Sequence, residues 1–387
     1  MDKERIELLF SFLRSSVCGT QLDEKELEAY SQECFADLMN LATRHDVEHL
    51  LVLGLKQNGL IENSDLKTIK IMHKAVFRYE KINAEYKNLC NTLEKAQIPF
   101  IPLKGSVLRE YYPEPWMRTS CDIDILVHYE DLEKAKLLLV EELQYSEKDR
   151  TTHDVSMITP KNVSVELHFD LVEEGRANGA IKILNHVWEN VSLHNNCKYM
   201  YDMTDEFFYL YHIAHMAKHF ENGGCGISPF IDLWILDNLP GARMDSRDKM
   251  LENSGLLDFA CVVRKLSKVW FGKCPMDELS FQMQSFILNG GVYGSTDNRV
   301  SLKQKKNGGR LGYILTRVFV PYSKLKRYYP VLEKHRWLTP IMQVKRWFML
   351  FRPDVSNMVK KELRASKAVK KEKLDEMNTF LHDIGLK

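Results

Sequence analysis

The sequence is most informative at Arg118-Thr-Ser-Cys-Asp122-Ile-Asp124-Ile-Leu-Val127. The two aspartates alternate with apolar residues, and this period of two is typical of a half-buried β-strand. Residues i and i+2 of a strand point to the same face, roughly 7 Å apart along the backbone. Two carboxylates so close repel each other unless a cation neutralises them. Because hard oxygen ligands select Mg²⁺ or Mn²⁺, the pattern predicts a site for one of these ions.

A third acid and a histidine follow on another alternating segment. Residues 163–169 carry apolar side chains at every second position, which predicts a further strand, and Glu166 lies within it. His168 shares a face with Glu166 and is a candidate to orient an acid or a phosphate. An equally acceptable interpretation makes His168 a hydrogen-bonded structural histidine.

Upstream of the two aspartates lies a candidate phosphate-binding turn. Lys104-Gly105-Ser106 follows a short apolar segment, residues 99–103, and predicts a tight turn from a strand into a short helix. Glycine permits close approach of the backbone to a phosphate, and a helix N-terminus offers N–H donors. Lys104 and Arg118 would neutralise the remaining phosphate charge. The plainer alternative is a solvated Lys104 beside an ordinary turn glycine, with the two aspartates exposed on an edge strand.

Together these motifs resemble the uncharacterised nucleotidyltransferase family of the DNA polymerase beta-like nucleotidyltransferase superfamily. The pattern of that family is Lys-Gly, a short helix, Tyr-Pro, an arginine, Asp-x-Asp before Leu-Val, and later Glu-Leu-His. The matching positions are Lys104-Gly105, Tyr112-Pro113, Arg118, residues 122–127 and residues 166–168. Two features depart from the wider superfamily: the gap between Ser106 and Asp122 is longer, and the third acid is Glu rather than Asp.

The resemblance implies a fold, an activity and a set of site residues. The fold would be α+β, a small mixed-sheet nucleotidyltransferase module flanked by N-terminal and C-terminal helical regions. The enzyme would use Mg²⁺ or Mn²⁺ to move a nucleoside monophosphate from a triphosphate such as ATP to an acceptor hydroxyl, releasing pyrophosphate. Asp122, Asp124 and Glu166 would be catalytic and hold metal, with Glu166 assisting deprotonation of the acceptor. The nucleotide would be bound by Lys104, Gly105, Ser106, Arg118 and His168.

The acceptor is not defined by these motifs and could be a small molecule, a sugar or a protein. Two other functions remain open: a nucleotide-binding interaction protein without turnover, and an RNA-modifying nucleotidyltransferase. Nucleic acid is the less favoured partner, because the formal net charge of the 387-residue chain is only +1. Positive charge is nevertheless concentrated between residues 303 and 373, which hold 20 Lys or Arg and four Asp or Glu. Aromatic residues are interleaved there, a pattern that suits RNA or an anionic membrane but also ordinary amphipathic helices.

Changes of pattern along the chain predict four regions. Residues 1–96 are an N-terminal helical region, whose last helix is capped at Asn63-Ser64-Asp65 and runs to about Ala96. Residues 97–176 are the α/β core, and residues 177–302 are a helical domain that lines the substrate cleft. Residues 303–387 are basic C-terminal helices, which begin with a flexible linker at 303–309.

The cysteines and the apolar runs indicate a cytoplasmic protein. Eight cysteines are scattered without a Cys-x-x-Cys pair, which is typical of reduced thiols. The first residues do not resemble a signal peptide, and no apolar run approaches the roughly 18 residues that span a bilayer.

His212, His215 and His219 form one stripe of a predicted helix, with Asp232 following. The stripe extends over two helical turns, roughly 10 Å, which is too far for one metal ion to take all three histidines. We therefore expect it to line a helix interface or the substrate cleft and to hold no zinc.

Overall fold

The computed structural model describes residues 3–62, 64–151, 153–171, 178–292, 331–349 and 371–386, with single residues and short runs between 294 and 329. Its fold is α+β, as predicted, with a mixed sheet between helical regions. The predicted linker at 303–309 lies outside the described residues except for Gln304. The proposed boundaries of the four regions remain predictions.

Helices form the N-terminal part of the chain. They are α1 Lys3–Cys18, α2 Glu24–Glu28, α3 Gln32–Arg44, α4 Glu48–Gln57 and α5 Leu66–Lys95. The predicted cap of the long helix is confirmed at Asp65, because its carboxylate accepts hydrogen bonds from the backbone N–H groups of Lys67 and Thr68 at 3.2 and 3.4 Å. Such a side chain satisfies donors that have no partner within the helix.

In the described residues, five strands form a mixed sheet in the order β1-β2-β5-β4-β3. The strands are β1 Phe100–Pro102, β2 Asp122–Val127, β3 Ser146–Arg150, β4 Asp154–Ile158 and β5 Ser164–His168. β2 pairs in parallel with β5, and the other pairings are antiparallel. The segment with the two aspartates is therefore an interior strand, not an edge strand.

One face of this sheet is covered by α5 and by α7 Leu132–Leu143. The apolar half of each alternating strand points to this face, as Ile123 and Ile125 do on β2. Burial of these side chains leaves the polar half of β2 and β5 on the opposite face. The period-two pattern thus decides which face carries the acids.

Sequence patterns did not reveal β3 or helix α11 Met244–Ser254. All five residues of β3 are exposed, so the strand has no buried face to impose an apolar alternation. Helix α11 is mostly polar, and few of its residues reach the core. Strand pairing holds β3 in place and helix packing holds α11, and these contacts form only when the chain folds.

Helix α6 Gly105–Leu108 lies within the sheet region. The described helices that follow the sheet are α8 Asn178–Leu184, α9 Asp205–Glu221, α10 Ser228–Asp237, α11, α12 Leu257–Phe271, α13 Glu278–Leu288, α14 Val331–Lys334, α15 Thr339–Met349 and α16 Lys371–Asp383. A hairpin of β6 Val191–Leu193 and β7 Tyr201–Met203 adjoins β1, where the N–H of Phe100 donates to the carbonyl of Tyr199 at 2.9 Å.

A second hydrophobic cluster joins the N-terminal helices to the later ones. It contains side chains of α1, α4, α9 and α12, and it reaches the sheet at Ile101 and Leu126. These two sheet residues lie on the same face as the acids, by the β1–β2 register. Helices from both ends of the sequence therefore close over the polar face of the sheet.

The predicted basic and aromatic surface is described in part. Trp337 and Phe348 are 72% and 70% exposed, but several of the basic residues around them lie outside the described residues. Binding of RNA stays a prediction. Among the described helices, none combines the length and apolar character needed to cross a membrane.

The packing of α5 predicts that alanine substitutions at two positions on this helix differ greatly in their effect on the free energy of unfolding. Leu89 is fully buried under the sheet, whereas Phe77 is 71% exposed. Leu89→Ala should lower the free energy of unfolding by about 2–5 kcal/mol, because it removes buried methyl groups and leaves a cavity. Phe77→Ala, the matched control, should change it by less than about 0.5 kcal/mol. Urea denaturation measures both, and equal losses would contradict the packing.

Candidate active site

The parallel pairing of β2 with β5 brings two of the predicted acids together. Asp124 lies directly opposite Glu166 in the register, and Asp122 lies opposite Ser164. Partners in adjacent strands point to the same face, so the three acids share the polar face of the sheet. Asp124 is 5% exposed, whereas the Glu166 side chain is 31% exposed. The acid pair thus has one deeply buried member and one that is partly exposed to solvent.

His168 and Lys104 each contact a different oxygen of Asp124. His168 Nε2 lies 3.1 Å from Asp124 Oδ1 and 3.4 Å from Glu166 Oε2. Lys104 Nζ lies 3.8 Å from Asp124 Oδ2. Tyr211 of α9 is a hydrogen-bond partner of Lys104 and ties this ammonium group to the helical side. Two of the predicted nucleotide-binding residues, Lys104 and His168, therefore lie beside Asp124.

The pKa values of Asp122 and Asp124 are shifted in opposite directions. Burial alone would raise the pKa of Asp124, but Lys104 and His168 outweigh it and hold this pKa well below its usual range. Burial raises the pKa of Asp122, and repulsion by Asp124 and Glu166 raises it further. A divalent cation between these carboxylates would relieve that repulsion, and their oxygen donors fit Mg²⁺ or Mn²⁺.

Among the described residues, two groups of side chains converge closely enough to bind one metal ion. In the first, ligand atoms of Asp124, Glu166 and His168 lie within 4.8 Å of one another. In the second, His153 and Asp154 converge with His168. Asp122 belongs to neither group, so the sequence-based set of three acids and the first converging group share only Asp124 and Glu166.

The turn predicted to bind phosphate has an unusual backbone. Lys104 has a φ of +41°, which a residue with a side chain rarely adopts, and such strain is concentrated at functional sites. A Cβ added to Gly105 would lie 3.2 Å from Ser120 Cβ, so glycine permits this close packing. Helix α6 has only four residues, and the N–H of Ser106 bonds to the carbonyl of Leu103 at 3.2 Å. The short helix therefore contributes little to anion binding through its N-terminus.

The hydroxyl group of Ser106 is a second feature of this turn. The residue is 5% exposed, and its Oγ is buried with no hydrogen-bond partner. A buried hydroxyl without a partner costs free energy, and a ligand oxygen would satisfy it. This orphaned group lies in the turn that begins at Lys104, which is consistent with a ligand on the polar face.

Sequence reasoning missed Arg109, which stabilises this turn. Arg109 is buried, and its Nε donates to the carbonyl of Gly105 at 2.8 Å. Its Nη2 donates to Ser120 Oγ at 2.9 Å, just before β2. One guanidinium thus links the turn to the segment that enters the strand with the aspartates. A buried arginine near a Lys-Gly turn leaves no period or spacing in the sequence that would identify it.

Arg118 forms a buried ion pair. Its Nε donates to Asp232 Oδ1 of α10 at 2.8 Å, and the hydroxyl of Tyr112 donates to the same oxygen at 2.7 Å. Asp232 is 1% exposed. Burial opposes the charge of Arg118, but Asp232 outweighs it and raises the pKa of the guanidinium. Arg118 therefore connects the segment before β2 to the helical side.

The histidine stripe lies near this connection. His212 Nε2 is 3.1 Å from the carbonyl of Pro229, and burial lowers the pKa of His212. The rings of His215 and His219 meet edge to face, with centroids 4.4 Å apart. Burial and then the nearby charge of Lys104 hold the pKa of His215 well below its usual value. The effect of Lys104 places His215 near this ammonium group, and the expectation that the stripe holds no zinc stays a prediction.

Comparison with known proteins yields one match. A model of the family described as uncharacterised nucleotidyltransferase matches residues 32–272, which is more than half of the chain. The matched range includes the sheet, the turn and the histidine stripe. No curated protein and no solved structure matches the chain.

The buried pair of Arg118 and Asp232 predicts a stability effect. Arg118→Met should lower the free energy of unfolding by about 3–5 kcal/mol, because it leaves the carboxylate of Asp232 buried without a cation. Adding Asp232→Asn should recover part of this loss, since the amide carries no charge and still accepts the bond from Tyr112. Denaturant titrations of the single and double variants measure the difference.

A surface pair provides the control for this measurement. Arg150 Nη1 lies 2.8 Å from Glu133 Oε1, and both side chains are largely exposed. Arg150→Met should cost less than about 1 kcal/mol, as exposed ion pairs do. The prediction fails if Arg118→Met costs no more than Arg150→Met.

Proposed function

The chain belongs to the uncharacterised nucleotidyltransferase family, and on this basis we propose that it is an Mg²⁺- or Mn²⁺-dependent enzyme. It moves a nucleoside monophosphate from a nucleoside triphosphate to an acceptor hydroxyl and releases pyrophosphate. Membership of the family supports nucleotidyl transfer in general, and the metal, the triphosphate and the acceptor hydroxyl are the proposed details. We further propose that the module is of the polymerase beta-like type and acts in the cytoplasm.

The observation that carries the proposal is the position of Asp124 opposite Glu166 on parallel strands, with Lys104 beside them. Two opposed carboxylates and an ammonium group form a site that can take both a divalent cation and a phosphate. A buried charge costs free energy unless it is paired, and Lys104 and His168 supply that pairing for Asp124.

Asp122, Asp124 and Glu166 would hold the metal. Bound there, Mg²⁺ or Mn²⁺ would neutralise phosphate charge and lower the pKa of the attacking hydroxyl. Lys104 and His168 keep Asp124 ionised and oriented, since each contacts one of its oxygens. A fixed, ionised carboxylate is ready to accept a cation without reorganising.

Glu166 is the proposed proton acceptor for the acceptor hydroxyl. Its side chain is the more accessible of the opposed pair, with 31% exposure against 6% for Asp124. An acceptor that enters from the cleft would therefore meet Glu166 first. General-base catalysis requires such a carboxylate within hydrogen-bond reach of the proton that it removes.

The triphosphate would lie over the turn that begins at Lys104. The ammonium group of Lys104 supplies charge, the hydroxyl of Ser106 supplies a donor without another partner, and Gly105 keeps the turn tight. The ion pair with Asp232 favours a positioning role for Arg118, through the segment that leads into β2. The acceptor itself is proposed only as a hydroxyl of a small molecule, a sugar or a protein.

Metal-dependent binding of nucleotide tests the acid site. The double variant Asp122→Asn with Asp124→Asn keeps the side-chain shapes but removes two negative charges. It should lose Mg²⁺-dependent binding of nucleoside triphosphates, because the ion would have too few charged ligands. Isothermal titration calorimetry with each of the four triphosphates, with and without Mg²⁺, measures this loss.

Asp149→Asn is the matched control, since Asp149 lies exposed on β3 of the same sheet. It should bind nucleotide as the wild type does. Circular dichroism checks that the double variant remains folded. Unchanged metal-dependent binding in the folded double variant would refute the acid site.

Turnover tests Glu166 separately. Glu166→Gln should abolish transfer of labelled nucleotide to any acceptor in a cell extract, while the protein stays folded, because the amide cannot take a proton from the acceptor. Glu147→Gln, on the exposed strand β3, should label the same acceptor at the wild-type level. Loss of the fold in Glu166→Gln would mean that Glu166 is structural, and full activity would exclude it from catalysis.

A further inference from the structure

A second group of side chains that could bind a metal ion lies beside the acids, and two of its three members, His153 and Asp154, have no part in the proposed reaction. His153, Asp154 and His168 each offer one ligand atom, and these atoms lie within 4.8 Å of one another. Asp154 lies directly opposite His168 in the β4–β5 register, on the polar face of the sheet. His153 immediately precedes β4. We propose that these three residues bind a transition-metal ion of the Zn²⁺ class.

The donor atoms of this group differ from those of the acid group, and they favour a different metal ion. Two imidazoles and one carboxylate suit Zn²⁺ and its neighbours in the first row, whereas Mg²⁺ prefers oxygen ligands. Three protein ligands with a remaining open position are typical of zinc sites that also bind water or a substrate. His168 is common to both groups, so an ion here would lie next to Asp124 and Glu166.

The distances fit a single ion with little adjustment. His153 Nε2 is 2.9 Å from Asp154 Oδ2, and the ring centroids of His153 and His168 are 5.8 Å apart. Two ligands bonded to one zinc at 2.0–2.1 Å lie roughly 3.3 Å apart in tetrahedral geometry. Small side-chain rotations would bring all three ligand atoms to that spacing.

Hydrogen bonds around His153 hold its ring in the way that a metal-bound histidine is usually held. Thr151 Oγ1 lies 3.1 Å from His153 Nδ1, which leaves Nε2 directed towards Asp154. A histidine that ligates through one nitrogen is usually oriented by a hydrogen bond at the other. The backbone N–H of Phe169 donates to the carbonyl of His153 at 2.9 Å and fastens this residue to the end of β5.

An independent observation indicates a missing partner at Asp154. This residue is 4% exposed, and its Oδ1 is buried without a hydrogen-bond partner. Buried carboxylate oxygens are costly unless they are paired or bind a cation. A metal ion shared with the two histidines would satisfy the carboxylate, whereas the contact with His153 engages only Oδ2.

Cobalt absorption on the full-length protein tests this site. Protein stripped of metal with a chelator is titrated with Co²⁺, a spectroscopic stand-in for Zn²⁺, in excess Mg²⁺ to occupy the carboxylate site. The expected result is saturation at one Co²⁺ per chain, with visible bands of a four- or five-coordinate ion that Zn²⁺ removes. His153→Ala and Asp154→Asn should each weaken binding by more than about tenfold, since even loss of an outer partner costs that much.

Controls separate this site from the proposed reaction. His186→Ala removes an exposed histidine elsewhere and should bind Co²⁺ as the wild type does. His153→Ala should keep Mg²⁺-dependent triphosphate binding in the calorimeter, because His153 is outside the acid group. If His153→Ala does not fold, His153→Asn replaces it, with circular dichroism as the check.

Two results would overturn the proposal. One is the absence of saturable Co²⁺ binding with the expected bands. The other is a set of bands that survives His153→Ala and Asp154→Asn but disappears in Asp124→Asn, which would place the ion among the acids. Neither result bears on nucleotide binding, which the calorimetry measures separately.

Discussion

The parallel pairing of β2 with β5 is the constraint on which the rest of the site depends. Because Asp124 lies opposite Glu166 in this register, two carboxylates share one face of the sheet, and His168 is brought beside them. A shift of one residue would turn the acids into the apolar core beneath α5. The alternation of apolar residues buries one face of the sheet, and it therefore also places the acids on the opposite face.

The concentrated negative charge is balanced by two neighbouring nitrogen groups. Lys104 and His168 contact different oxygens of Asp124, whereas burial and repulsion by Asp124 and Glu166 raise the pKa of Asp122. The site is thus poised to accept further positive charge near Asp122. An imidazole and an ammonium group would stabilise the acid pair before a metal and a triphosphate arrive.

Helices distant in sequence keep this arrangement in place. Arg118 and Tyr112 share the buried carboxylate of Asp232 on α10, so the segment before β2 is fastened to the helical side. Arg109 performs the same task within the module, between Gly105 and Ser120. These contacts fix the relative positions of the turn, the strand and the cleft, as a site that acts through positioned charges requires.

The sequence by itself determined the local elements: the alternation at Asp122 and Asp124, the capped helix α5 and the turn at Gly105 all follow from period, caps and turn residues. Only the tertiary structure decided that Arg118 pairs with Asp232, that Ser106 Oγ has no partner, and that His153 and Asp154 adjoin His168. Those relations depend on strand register and on helix packing between distant segments. Local periodicity carries no information about which side chains such packing brings together.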